Sequence, residues 1–169
     1  QLRRRDTYVL LAAAAEASKS ITIGPLLTNP ITRHPSVTAS SISTIAELAE
    51  GRTVLTYGAG DTAVRLAGLE PARVRQLHEA IGLTKSFLDG NHVEVGADRP
   101  AKLPFAQPVP VWLAAGGPRT LKMAGAVADG VFIRVGTHSS NILSSIKVIW
   151  EGAEEAGRSK KDVKLGIIF

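Results

Sequence analysis

Apolar residues come along this chain in two alternating rhythms. One is a short, nearly unbroken run: residues 21–28 ("ITIGPLLT"), 53–57 ("TVLTY"), 109–115 ("VPVWLAA"), 130–135 ("GVFIRV") and 163–169 ("VKLGIIF"). The other is a helical stripe. Residues 6–18 are alanine-rich, which favours helix. Residues 36–50 carry Val37, Ile42, Ile45 and Leu48 on one broad face, with Pro35 suited to the first helical position and Gly51 as a stop. Pro71 opens a stretch in which Val74, Leu77, Ile81, Thr84 and Leu88 recur at helical spacing up to Gly90. A shorter helix is expected over 120–128. Another is expected over 140–156, with Ile142, Ile146, Ile149 and Ala153 inward and Gly157 as its end.

Strands that read as apolar runs rather than alternations belong to a parallel sheet covered on both faces. Strand, helix and strand in repetition imply right-handed βαβ units. Two architectures satisfy this pattern: an open doubly wound sheet, or part of a TIM barrel. A TIM barrel typically has eight strands and roughly 250 residues. Five strands are expected here, so the barrel reading requires further pieces. The chain opens on Gln1 rather than Met, and we expect an excised or processed piece of something longer.

The 169 residues fit one domain, spanning 1–169, large enough to bury a sizeable core. Composition adds mainly exclusions. There is no cysteine, which removes disulfides, cysteine metal sites and thiol chemistry. No apolar run is long enough to span a bilayer, and nothing at the start reads as a signal peptide, so a cytoplasmic location without membrane attachment is expected. The net charge is +5, but the basic residues are scattered except at Arg3-Arg4-Arg5 and Lys160-Lys161. Aromatic residues do not interleave with them, so no nucleic-acid partner is expected. The four histidines, at 34, 78, 92 and 138, lack metal-ligand spacing, and no metal site is assigned.

Parallel α/β folds bind ligands at the C-terminal ends of their strands, and three such ends carry unusual residues. At 24–35 ("GPLLTNPITRHP"), Thr28 and Asn29 place hydrogen-bonding groups at a strand mouth; the same residues suit an Asx turn into a helix. At 58–61 ("GAGD"), Asp61 could act as a general acid or bind a polar ring edge, or simply cap the next helix. At 115–120, Gly116-Gly117 precede Pro118 and Thr120. Bare backbone N–H groups at a helix start bind anions, and a Cβ would hold a phosphate away; a tight turn is the other reading. Neither the Rossmann fingerprint nor a P-loop lysine motif is present.

Three stretches taken together, "TNPITRHPSVTASSISTIAELAEGR", "GAGDTAVRLAG" and "VPVWLAAGGPRTLKMAGAVADGV", resemble the luciferase-like superfamily of flavin- and deazaflavin-dependent oxidoreductases, and most nearly its methylenetetrahydromethanopterin reductase type. The resemblance covers nearly the whole chain in order. It implies a TIM (β/α)8 barrel, incomplete here and running from about the second helix through the seventh strand. In relatives the early strands supply part of the substrate and catalytic site. The resemblance further implies coenzyme F420 as cofactor, with FMN and a monooxygenase reaction as the alternative, or a shortened relative that binds without turnover. It implies a non-prolyl cis peptide, matched to Pro25–Leu26, under the cofactor ring. Thr28 then touches the cofactor, with Asn29 beside it. Asp61 stands near the reacting ring as the candidate catalytic residue, and Gly116, Gly117 and Thr120 hold the phosphate. Val64 occupies a position where some relatives have an asparagine. The expected partners are a small-molecule substrate and a second copy in a homodimer; because a barrel sector leaves two sheet edges open, missing segments, a partner chain or poor solubility are expected.

Overall fold

The structure, a computed structural model, describes residues 5–168. Helix and strand alternate: α1 (Thr7–Ala17), β1 (Leu26–Thr28), α2 (Pro35–Leu48), β2 (Leu55–Tyr57), α3 (Asp61–Arg65), α4 (Val74–Leu88), β3 (Val111–Ala115), α5 (Pro118–Val127), β4 (Gly130–Ile133), α6 (Ser139–Glu155), a 3-10 turn at Lys160–Asp162, and β5 (Lys164–Ile167). Phe169, the expected end of the fifth strand, and Arg3 and Arg4 of the basic run lie outside the described residues.

The strands form one parallel sheet in the order β1-β2-β3-β4-β5. That order separates the two architectures. A doubly wound sheet reverses its strand order at a switch point, whereas a barrel sets each new strand beside the last. The chain is a five-stranded sector of a TIM barrel, and every strand delivers its C-terminal end to one rim. Among the described residues, β1 and β5 each pair on one side only.

The elements form for local reasons. Asp6 caps α1 by accepting from the amides of Tyr8 (2.9 Å) and Val9 (3.1 Å). Pro35 opens α2, whose end is marked by Glu50 and Gly51, both at positive φ. On α4, Leu77, Ile81, Thr84 and Leu88 are buried as the spacing predicts. That helix begins at Val74 rather than Pro71, where the Gln76 side chain accepts from the Arg73 amide at 2.9 Å. The continuous strand expected over 21–28 is interrupted. Ile23 makes a single bridge to Thr53, and regular pairing resumes only at Leu26. Gly24 and Pro25 explain the gap: proline has no amide to donate, and Gly24 sits against the Val54 carbonyl, where any Cβ would collide. Helix α3 is an addition to the expected elements.

One sheet face packs on the helices through Leu55, Tyr57, Val111, Leu113, Val131 and Ile133, all essentially inaccessible. The other carries Trp112 and Phe132, with ring centroids 4.7 Å apart and planes tilted by 41°. Gly130 lies against Trp112 and Gly166 against Phe132, so small residues on one strand seat large ones on the next. Within the helix layer, the Tyr57 hydroxyl pairs with Thr84 Oγ1 at 2.8 Å. Burial pushes the Tyr57 phenol up to about 12, and also raises that of Tyr8. A phenol whose pKa is higher in the folded chain than in the unfolded one stabilises the fold fully below about pH 10 and loses that contribution towards pH 12, at up to about 1.4 kcal/mol per pH unit. Urea unfolding from about pH 9 to 12 should show stability falling less steeply for Tyr57→Phe than for the native chain. Equal slopes would contradict the assignment.

Candidate functional site

At the rim, the C-terminal ends of β1, β2, β4 and β5 enclose a cleft of about 370 Å³, lined by Leu26, Leu27, Asn29, Gly60, Asp61, Thr62, Ala63, Arg134 and Ile168. Its first wall is β1. The cis peptide lies at Leu26–Leu27, one residue beyond the expected Pro25–Leu26 bond. It coincides with a register shift against β2, where Leu26 faces Thr56 but Thr28 faces Tyr57. The shift sets Leu26 and Leu27 both along the cleft. Pro25 is buried and does not line it.

Thr28 stands behind the cleft. Its side chain is buried and its Oγ1 accepts from the Tyr8 hydroxyl at 3.2 Å, on the side of α1 rather than the cleft. Asn29 does line the cleft. Its Oδ1 also accepts from the amides of Ile31 (3.0 Å) and Thr32 (2.9 Å) and from the Thr32 hydroxyl (3.2 Å). The Asx turn read as an alternative is therefore present, and it is what holds the loop at the mouth.

Asp61 stands in the first turn of α3, exposed, with Oδ1 accepting from Arg65 Nε at 2.9 Å; Arg65 also lies 3.6 Å from Glu70. It does not cap the helix. That place belongs to Gly60, at φ +84°, where a Cβ would come within 2.6 Å of the Asn29 side chain. Val64 is buried beneath the turn and does not line the cleft.

The two rim glycines differ in kind. Gly116 continues β3 beside Arg134, and a Cβ there would approach the Arg134 carbonyl oxygen to 2.5 Å. Packing alone accounts for that glycine. A Cβ at Gly117 would meet nothing within 4 Å. Gly117 is the N-cap of α5, with ordinary extended dihedrals, and it offers no side chain to the first-turn amides. Those amides have no intrahelical acceptor, and they carry the positive end of the helix dipole. Pro118 occupies the first helical position and Thr120 is half-buried in the first turn, the places expected of both. An unobstructed cradle at a ten-residue helix suits a phosphate.

Arg134 and Thr62 escaped the sequence reading. Arg134 is the one charged residue inside the apolar run 130–135, and that anomaly was the available signal. Among the described residues, no helix is long and apolar enough to cross a membrane, and no group of His, Cys, Asp or Glu could hold a metal ion.

Fold and site together define an α/β-barrel domain whose one rim carries a cleft with Leu26 and Leu27 along one wall and an uncapped helix N-terminus at Gly117. The sequence model of the family described as luciferase-like monooxygenase matches residues 1–169, and the chain belongs to that family. It is 36% identical over 168 residues to 5,10-methylenetetrahydromethanopterin reductase of Methanolobus tindarius, covering 94% of this chain and 51% of that protein. It is 30% identical over 175 residues to F420-dependent glucose-6-phosphate dehydrogenase of Amycolatopsis mediterranei, covering 90% and 51%. The solved coenzyme F420 dependent tetrahydromethanopterin reductase from Methanopyrus kandleri superposes with a TM-score of 0.84 at 27% identity, over 98% of this chain and 55% of that one. The chain spans about half the length of the relatives it matches.

Proposed function

We propose that this chain is the cofactor-holding sector of a cytoplasmic oxidoreductase that transfers hydride between coenzyme F420 and a carbon substrate. The observation that carries the reading is the open cradle at Gly117, for which the fold offers no packing reason, on the same rim as a cleft walled by Leu26 and Leu27. Gly116, Gly117 and the first-turn amides of α5, with Thr120, are suited to the cofactor phosphate. Leu26 and Leu27 give an apolar wall for a flat ring, Asn29 fixes the loop beside it, and Asp61 presents a carboxylate at the mouth for proton transfer or a polar ring edge. Pro25 and Thr28 serve behind that wall, Thr28 through its bond to Tyr8. When bound, a deazaflavin supplies the hydride chemistry; the protein orients it and shields it. Relatives named for F420 dependence favour this cofactor. FMN, with a monooxygenase reaction, is the alternative, in keeping with the family's description as luciferase-like monooxygenase. A homodimer is the proposed assembly.

Titration of the purified chain with F420 and with FMN, followed by fluorescence and visible absorbance, tests the reading. Saturable binding of F420, tighter than that of FMN by about tenfold or more (about 1.4 kcal/mol), is the expected result. No saturable change with either cofactor would remove the proposal.

A further inference from the structure

Of the residues lining the cleft, two carry charge, Asp61 and Arg134. Their situations differ. Asp61 is already held by Arg65 at 2.9 Å, so its charge is answered within its own helix. Arg134 is exposed, and among the described residues its guanidinium makes neither a hydrogen bond nor an ion pair. Its backbone, by contrast, is fixed. The Arg134 amide donates to the Ala115 carbonyl at 2.8 Å, and its own carbonyl abuts Gly116. The side chain leaves β4 on the same face as Phe132, because strand residues two apart share a face. It therefore rises from the Trp112–Phe132 face into the cleft, at a rigid strand end rather than on a loop.

We propose that Arg134 is a specificity-determining residue that anchors an anionic oxygen group, carboxylate or phosphate, of the carbon substrate. The planar guanidinium fork matches both groups with two parallel hydrogen bonds, which an ammonium cannot do. The oxidoreductase reading gives the cofactor phosphate to the start of α5. Gly117, Pro118 and Thr120 at the start of α5 do not line the cleft, and Arg134 does. The inference names the substrate class of the oxidoreductase reading and rests on it.

The test uses the full chain and two probes, succinate and inorganic phosphate, titrated at constant ionic strength while the arginine Nε signals are followed by NMR. The Arg134 signal should shift saturably with at least one probe. Arg134→Gln, an exposed substitution, should weaken that binding by about tenfold or more, and Arg134→Lys should retain part of it. Preference for succinate assigns a carboxylate-bearing substrate; preference for phosphate assigns a phosphate ester. A native chain that binds neither probe, or binding unchanged in Arg134→Gln, overturns the proposal. So does a variant that loses affinity for FMN while keeping it for riboflavin, which would assign Arg134 to the cofactor phosphate. Should the native chain take up neither F420 nor FMN while Arg134-dependent anion binding persists, the cofactor reading fails and the anion anchor stands.

Discussion

Replacing Gly117 by valine should weaken binding of a phosphorylated flavin or deazaflavin by about 30- to 100-fold, while riboflavin or the unphosphorylated deazaflavin binds nearly as before. Nothing lies within 4 Å of the added Cβ, so the folded chain accommodates it without strain. Backbone conformation is no obstacle either, since Gly117 has φ −86° and ψ 148°. What the branched side chain occupies is the approach to the first-turn amides of α5, where no side-chain cap competes. A charged acceptor on backbone N–H groups contributes about 1.5–3 kcal/mol, and the helix dipole adds up to about 1 kcal/mol. Losing about 2–2.7 kcal/mol of this corresponds to the stated range. Fluorescence titration of phosphorylated and unphosphorylated ligands on the same preparation checks it, with circular dichroism as the control for folding. Equal weakening of both would mean that Gly116-Gly117 is only a turn.

Features set by local chemistry were legible in the sequence. The stripe on α4, Pro35 at the head of α2, and the glycines after α2, α4 and α6 act through their immediate neighbours, and they stand where expected. The misses share a different cause. Helix α3 is five residues long, too short for an apolar period to declare itself. The side to which Thr28 points depends on parity along β1, and the irregularity between Leu26 and Thr28 resets that parity. A slip of one residue exchanges the faces of a strand, which is why Thr28 meets Tyr8 instead of the cleft. That Arg134 shares a face with Phe132 follows from the two-residue strand period, but which face of β4 borders a cleft is settled only by the packing of the whole sheet. In the sequence Gly116 and Gly117 form one motif. Their separate reasons, a neighbouring carbonyl for one and open space for the other, belong to tertiary packing that spacing does not carry.

The same substitution, glycine to alanine inside a helix, should have opposite signs at Gly82 and Gly152. In both places alanine relieves the entropic disadvantage of glycine, a gain of about 0.5–1 kcal/mol. Gly82 lies on the exposed side of α4, with nothing within 4 Å of where the added methyl would sit, so the gain should appear undiminished. Gly152 lies in the buried crossing of α6 on α5, where a Cβ would run into the Lys122 backbone carbonyl. Gly125 makes the reciprocal approach, against the carbonyl of Ile149. A backbone oxygen cannot rotate away as a side chain does, so the two helices must separate along their contact. Overpacking of this kind costs about 1–3 kcal/mol and sometimes more. We therefore expect a net loss of about 2 kcal/mol for Gly152→Ala, and more for Gly152→Val. For a chain of this size that is a fall in Tm of about 4–8 °C, against a rise of about 1–4 °C for Gly82→Ala. Thermal unfolding of the two alanine variants beside the native chain decides the matter. The crossing also fixes where α5 presents its N-terminus, so Gly152→Ala should weaken phosphorylated-cofactor binding as well, which Gly82→Ala should not. A stabilised Gly152→Ala would mean that α5 and α6 do not pack this closely, and that the cradle at Gly117 is held by β3 alone.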